Sequence, residues 1–285
     1  MQNTEDWLKI IIRENPIILE ELSTRFFDMG CQGIEEGDDQ FILYFHSFVM
    51  NDAFKLEINN ILDQNNIKQE KLSYDILKNE NWNEKWKDYF KTFRVGKNII
   101  IKPDWEIYQA GADEKVITIT PKMAFGTGHH ETTQLILKQL EEIIKPGMSV
   151  LDAGTGSAIL AIYAALIGSK KITAFDIDPV AIENAYENIQ LNNVTEKITL
   201  QCGSLIDVVQ EKYDVIIANI NRNVLIEIAP DFKNYASDNT ILVLSGLLIA
   251  DSEIILKAYA ANNWKLLKSD IQGEWLSLNF VYSKN

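Results

Sequence analysis

At 285 residues the chain can bury a full core in one large or two smaller domains, and 46% hydrophobic with 24% charged residues is an ordinary globular balance. No apolar run approaches the roughly 18 residues of a membrane span, and the acidic start from Met1 to Asp6 lacks the order of a signal peptide, so no membrane partner and a cytoplasmic location are expected. A net charge of −14 argues against a direct nucleic-acid substrate, and Cys31 and Cys202 lie too far apart for metal-ligand spacing, so reduced thiols and no metal are expected.

Residues 1–76 read as a strand (Trp7 to Ile12), a helix opened by Asn15-Pro16 (Ile17 to Phe27), two strands around Gly37-Asp38-Asp39 (Gly33 to Glu36, Gln40 to Phe45), a helix (Asp52 to Leu62) and a strand (Lys68 to Leu77). That β-α-β-β-α-β order predicts a ferredoxin-like α+β domain. It carries 15 acidic and 6 basic residues, a net of −9, and no catalytic constellation. A docking domain that steers a basic partner is the expectation.

Residues 77–97 predict a helical linker, because Trp82, Trp86, Tyr89, Phe90 and Phe93 share one helical face. Residues 98–285 form the second expected domain. Short strands (Ile99 to Glu106, Val116 to Thr120) lead to a glycine-broken loop, Met123 to Thr133, read as a flexible flap. The helical pattern of Leu135, Ile136, Leu140, Ile143 and Ile144 follows, with Thr132 and Thr133 at its start. Those threonines suit hydroxyl contacts to a ligand, or ordinary N-capping.

Val150 to Gly156 reads V-L-D-A-G-T-G, an apolar strand ending in Asp152 and entering a turn with Gly154 and Gly156. Glycine lets backbone N–H groups approach a ligand at a strand's carboxyl end, where open α/β sheets bind. A helix from Ser157 to Ala165 is expected next. The following strand, Lys171 to Phe175, ends at Asp176, placed to accept ribose hydroxyls. Ile159 stands where a dinucleotide fingerprint requires Gly or Ala, and no G-x-x-x-x-G-K-[ST] occurs, so the pattern favours an adenosine cofactor without phosphate. Tyr213 to Asn219 is another buried strand, ending in N-I-N-R rather than the N-P-P-Y that suits flat substrates. The remainder reads as a strand (Thr240 to Leu244), a helix (Asp251 to Ala261) and two strands (Trp264 to Ser269, Leu276 to Tyr282).

The run M-A-F-G-T-G-x-H-x-T-T from Met123, followed by V-L-D-x-G-T-G-S, D-I-D-P, A-N-I and L-S-G, resembles the family of methyltransferases acting on the eleventh large-subunit ribosomal protein, over most of residues 80–250. The resemblance implies an α/β, Rossmann-like methyltransferase sheet whose last two strands form an antiparallel pair. It implies S-adenosylmethionine as cofactor, held through Thr133, Gly154, Gly156, Asp176 and Asn219, and Asn219 as a catalytic positioning residue. The implied activity is methylation of lysine side chains of that ribosomal protein, free or in the ribosome, with its N-terminal amine a further candidate. Departures are Ala158 for the usual third glycine, His129 for threonine, Glu131 for proline and Arg222 after the second Asn. Rival readings are an amide or base N-methyltransferase of this fold, and a non-catalytic cofactor-binding ribosome-assembly factor.

Overall fold

Alternating apolar residues build the first sheet, because successive side chains of a strand point to opposite faces. The computed structural model describes residues 6–14, 18–37, 39–65, 67–77, 90–121 and 126–284. The chain divides into two compact units, Met1–Tyr89 and Phe90–Asn285.

The first unit comprises β1 (Trp7–Ile12), α1 (Leu19–Asp28), β2 (Gly33–Glu36), β3 (Phe41–His46), α2 (Asp52–Gln64) and β4 (Leu72–Leu77). Its sheet has the order β2-β3-β1-β4, and every neighbouring pair is antiparallel. This is the ferredoxin-like arrangement. Leu8, Ile10 and Ile12 of β1 bury one face against Leu22 and Phe26 of α1 and Phe54, Ile58, Ile61 and Leu62 of α2. Asn51 caps α2, its Oδ1 accepting from the Phe54 amide at 2.9 Å. The last strand begins later than the sequence predicts, because Gln69–Lys71 winds into a 3-10 turn before it. Asn15, Pro16 and Ile17 lie outside the described residues.

The second unit opens with a three-stranded sheet, β5 (Phe93–Val95), β6 (Ile99–Pro103) and β7 (Lys115–Ile119). Phe93 therefore belongs to a strand and not to the expected helical stripe: Phe93 pairs with Ile101, and Val95 with Ile99. Trp82, Trp86 and Tyr89 lie outside the described residues.

A seven-stranded sheet follows. Its strands are β8 (Ser149–Ala153), β9 (Lys171–Asp176), β10 (Ile198–Cys202), β11 (Tyr213–Asn219), β12 (Ala236–Leu248), β13 (Trp264–Gln272) and β14 (Trp275–Tyr282). The order is β10-β9-β8-β11-β12-β14-β13. The first five are mutually parallel, and β14 runs antiparallel to both β12 and β13. Helices α3 (Glu131–Ile143), α4 (Ile159–Leu166), α5 (Pro179–Leu191), α6 (Arg222–Ile228) and α7 (Ser252–Ala260) cover the sheet.

Period-two alternation sorts side chains between two cores. Val150, Val215, Ile217 and Val243 face one core with α3, α4 and α5; Leu151, Ile216, Ala218, Leu242 and Leu244 face the other. Both faces are covered, so the central strands read as continuous apolar runs. Among the described residues no helix is long and apolar enough to cross a membrane.

Candidate functional site

The parallel strands β8, β9, β10 and β11 all end on one side of the sheet, and their following loops enclose a cavity of about 530 Å³. That is within the usual range for a small-molecule site. Gly154 follows β8, Asp176 ends β9, Gly203 to Leu205 follow β10, and Asn219 ends β11; His130, Thr132 and Trp275 supply a further wall.

The turn after β8 is tied to β9. The amides of Gly154 and Thr155 both donate to the Phe175 carbonyl at 2.9 Å. The Gly156 amide donates to Asp176 Oδ2 at 2.9 Å, and the Asp178 amide donates to Asp176 Oδ1 at 3.0 Å. Gly154 has φ +71°, and a Cβ there would come within 2.3 Å of Ile220 Cγ2, so close approach of the β11 loop requires glycine. From the other side, a Cβ on Gly246 (φ +80°) would meet the Ile220 carbonyl oxygen at 2.4 Å. Ile220 is thus wedged between the ends of β8 and β12.

Behind the turn, Asp152 is buried and its Oδ2 accepts from Thr155 Oγ1 at 2.7 Å, while its Oδ1 has no hydrogen-bond partner. Burial, reinforced by the charge of Asp176, pushes its carboxyl up to about 6. The expected helix start moves: Ser157 and Ala158 remain in the turn, Ala158 adopts φ +64°, and α4 begins at Ile159.

Asn219 Nδ2 lies 3.4 Å from Thr133 Oγ1, and Asn219 Oδ1 is buried with no hydrogen-bond partner. Thr132 and Thr133 are both fully buried, Thr133 beside Asn219 and Thr132 in the cavity wall. The cap of α3 is His130 rather than a threonine: its Nδ1 accepts from the Thr132 amide at 3.3 Å and lies 2.8 Å from Thr132 Oγ1. Its ring packs edge-on against Trp275 at 4.7 Å. Burial lowers the pKa of the neighbouring His129, which packs on Phe93 with ring centroids 4.1 Å apart.

The described part of the expected flap is held in place. Ser157 Oγ donates to the Gly126 carbonyl at 2.6 Å, and Gly128 sits so close to Ile101 that a Cβ would approach it to 2.6 Å. Met123, Ala124 and Phe125 lie outside the described residues. Sequence reasoning missed Ser204, Leu205, Ile220 and Trp275. A strand reading of Ile198 to Cys202 closed by Gly203 would have found the first two; nothing local marks the others.

The wall is mostly apolar and, among the described residues, holds no Lys or Arg and a single carboxylate, Asp176. A carboxylate has about four acceptor sites, and backbone amides use two at Asp176. Two therefore remain for neutral hydroxyls, which suits a nucleoside and not a phosphate. With the unpaired Asn219 oxygen, this donor set fits S-adenosylmethionine.

Comparison with known proteins agrees. The family described as ribosomal protein L11 methyltransferase (PrmA) matches residues 6–283. A ribosomal protein L11 methyltransferase of Alkaliphilus metalliredigens is 40% identical over 196 residues, 69% of this chain and 62% of that relative. One from Alkaliphilus oremlandii is 31% identical over 306 aligned positions, 95% of this chain and 97% of that relative. The first alignment therefore spans under two thirds of its relative and the second nearly all. The crystal structure of a ribosomal protein L11 methylase from Lactobacillus delbrueckii subsp. bulgaricus superposes with a TM-score of 0.64 at 32% identity, covering 68% of this chain and all of that one. Fold, cavity and sequence agree: the chain belongs to the ribosomal protein L11 methyltransferase family.

Proposed function

We propose that this protein methylates amino groups of ribosomal protein L11, lysine side chains first and the N-terminal amine second, using S-adenosylmethionine. The observation that carries the reading is the cavity at the carboxyl ends of β8 to β11, lined by Asp176 and Asn219 and, among the described residues, by no Lys or Arg. Asp176 would accept the ribose hydroxyls, the Gly154 to Gly156 turn would bring backbone close to the cofactor, and Asn219, backed by Thr133, would hold it near the incoming nitrogen. The bound cofactor supplies an electrophilic methyl group on a sulfonium.

What the protein must do is align and dry the acceptor. Alignment of reacting atoms can supply roughly 7–11 kcal/mol. A lysine of pKa about 10.4 must lose its proton before its nitrogen has a lone pair to offer. An apolar wall favours the neutral amine by desolvation, and Asn219 at that wall would help to orient it. No step requires a dedicated base beside the amine once solvent has taken the proton. The acidic residues 1–76 would dock the basic ribosomal protein, free or within the ribosome.

The test is the intact and fragment mass of unmethylated L11 after incubation with the protein and S-adenosylmethionine. Increments of one methyl mass on lysines, absent with Asp176→Ala, are expected. No increment despite measured cofactor binding would overturn the acceptor assignment.

A further inference from the structure

Strand β7 lies at an edge of the three-stranded sheet, paired with β6 on one side. Its other side meets side chains instead of a strand. Asn184, Asn188 and Asn192 recur at every fourth position along and just beyond α5, about 6 Å apart along the helix axis. Thr118 and Thr120 are two residues apart in and just after β7, about 6.6 Å. The near-equal spacings allow the amides to pair with the strand's backbone. Asn192 Oδ1 accepts from the Thr118 amide at 2.8 Å and its Nδ2 donates to the Thr118 carbonyl at 2.7 Å. Asn184 Nδ2 donates to the Thr120 carbonyl at 3.2 Å.

Asn188 differs from its neighbours in serving two segments. Its Oδ1 accepts from the Thr120 amide at 2.9 Å, and its Nδ2 donates to the Ser157 carbonyl at 3.0 Å. Ser157 is the residue after Gly156, and its hydroxyl holds the Gly126 carbonyl. Asn188 is fully buried, so water cannot replace either bond. One side chain thus joins the end of β7, the cofactor turn and, through Ser157, the glycine segment at 126–128.

We propose that Asn188 is a positioning residue for the cofactor site, fixing the Gly154–Ser157 turn against Thr120 and Gly126, whereas Asn192 only closes the strand edge. The proposal rests on the cavity holding S-adenosylmethionine and is indifferent to the methyl acceptor. Asn192 is the internal control, because its side chain bonds Thr118 and the Asn188 carbonyl, the latter at 2.7 Å, and no residue of the 154–157 turn.

The experiment compares Asn188→Ala and Asn192→Ala with the parent by S-adenosylmethionine titration calorimetry, and by hydrogen exchange of the amides at 154–157 without cofactor. Asn188→Ala is expected to weaken cofactor binding at least tenfold and to speed exchange at the turn, with Asn192→Ala within twofold of the parent on both. Equal behaviour of the two variants, whether both weakened or both unchanged, would overturn the proposal. Should Asn188→Ala fail to fold, Asn188→Asp keeps an acceptor for Thr120 and sets an oxygen against the Ser157 carbonyl. The same tenfold loss is expected, and unchanged affinity would overturn the proposal. Both readouts omit the ribosomal protein, so a failure of L11 methylation is read separately.

Discussion

The two units bury different chemistry. Every buried polar or charged residue among the described residues lies in the second, from Thr132 to Asn279, while the first buries single polar atoms such as Ser73 Oγ and Tyr74 Oη beside an apolar core. Buried polar groups cost stability unless paired, and the second unit pairs most of its own: Gln139 Nε2 donates to Asp270 Oδ2 at 2.8 Å, and the Ser277 hydroxyl donates to Gln139 Oε1 at 2.9 Å. The contrast is one of task. On the proposed function, a unit that docks a partner through its acidic surface would need only an apolar interior, whereas a unit that encloses a ligand must carry polar groups inward and fix them there.

This division can be broken by damaging one unit at a time. On the proposed function, Asp176→Ala would remove a charged acceptor of two hydroxyls, each worth about 1.5–3 kcal/mol. Cofactor affinity should fall roughly 10²- to 10⁴-fold, and calorimetry reading less than tenfold would remove Asp176 from the site. In the first unit, Ile58→Ala empties a fully buried position and should cost about 2–5 kcal/mol in denaturant unfolding. Cofactor affinity should not change; a parallel loss would mean that the two units are not separable in function.

Asp152 sharpens the contrast through pH. Its carboxyl, at about 6 in the folded protein, lies above the ordinary aspartate value of about 3.9. The folded state therefore holds its proton more tightly, and the stability this gives is full below about pH 4 and lost as pH rises to 6 and beyond. At about 1.4 kcal/mol per pH unit the loss is about 3 kcal/mol. Asp152→Asn should show a flatter stability profile between pH 4 and 6.5 in urea unfolding, and parallel profiles would refute it. The smallest effect is expected at Ala158. Glycine relieves a left-handed conformation costing about 1–2 kcal/mol but gives up about 0.8 kcal/mol of methyl burial and adds backbone entropy to the unfolded chain. Ala158→Gly should lie within about 1 kcal/mol of the parent, and a larger loss would mean that the methyl packs as a core group.

Strands with both faces buried were legible because a continuous apolar run has one physical explanation; β8, β9 and β11 follow that rule, and Asp176 and Asn219 stand at the ends of their strands as expected. Four features resisted. Ala158 is a good helix former, so nothing local shows that tertiary packing holds it left-handed. Ile220 and Gly246 meet through contacts between remote loops, which no short window contains. His130, not a threonine, caps its helix by accepting from the Thr132 amide, and it was missed because an imidazole acceptor is a rarer cap than a hydroxyl. Phe93 fitted a helical stripe by spacing alone, and pairing with β6 overrode it.

The position of β14 has a consequence for biosynthesis. It follows both β12 and β13 in the chain, yet it inserts between them, with Leu278 paired to both Leu244 and Ser269. Until residues 275–282 leave the ribosome, β12 presents an unpaired apolar edge, the kind of template on which other chains pair. A nascent chain stalled before Trp275 would have the glycine turn after β8 already synthesised and still be prone to aggregate, so the arrival of β14 closes an edge that the parallel strands alone leave open.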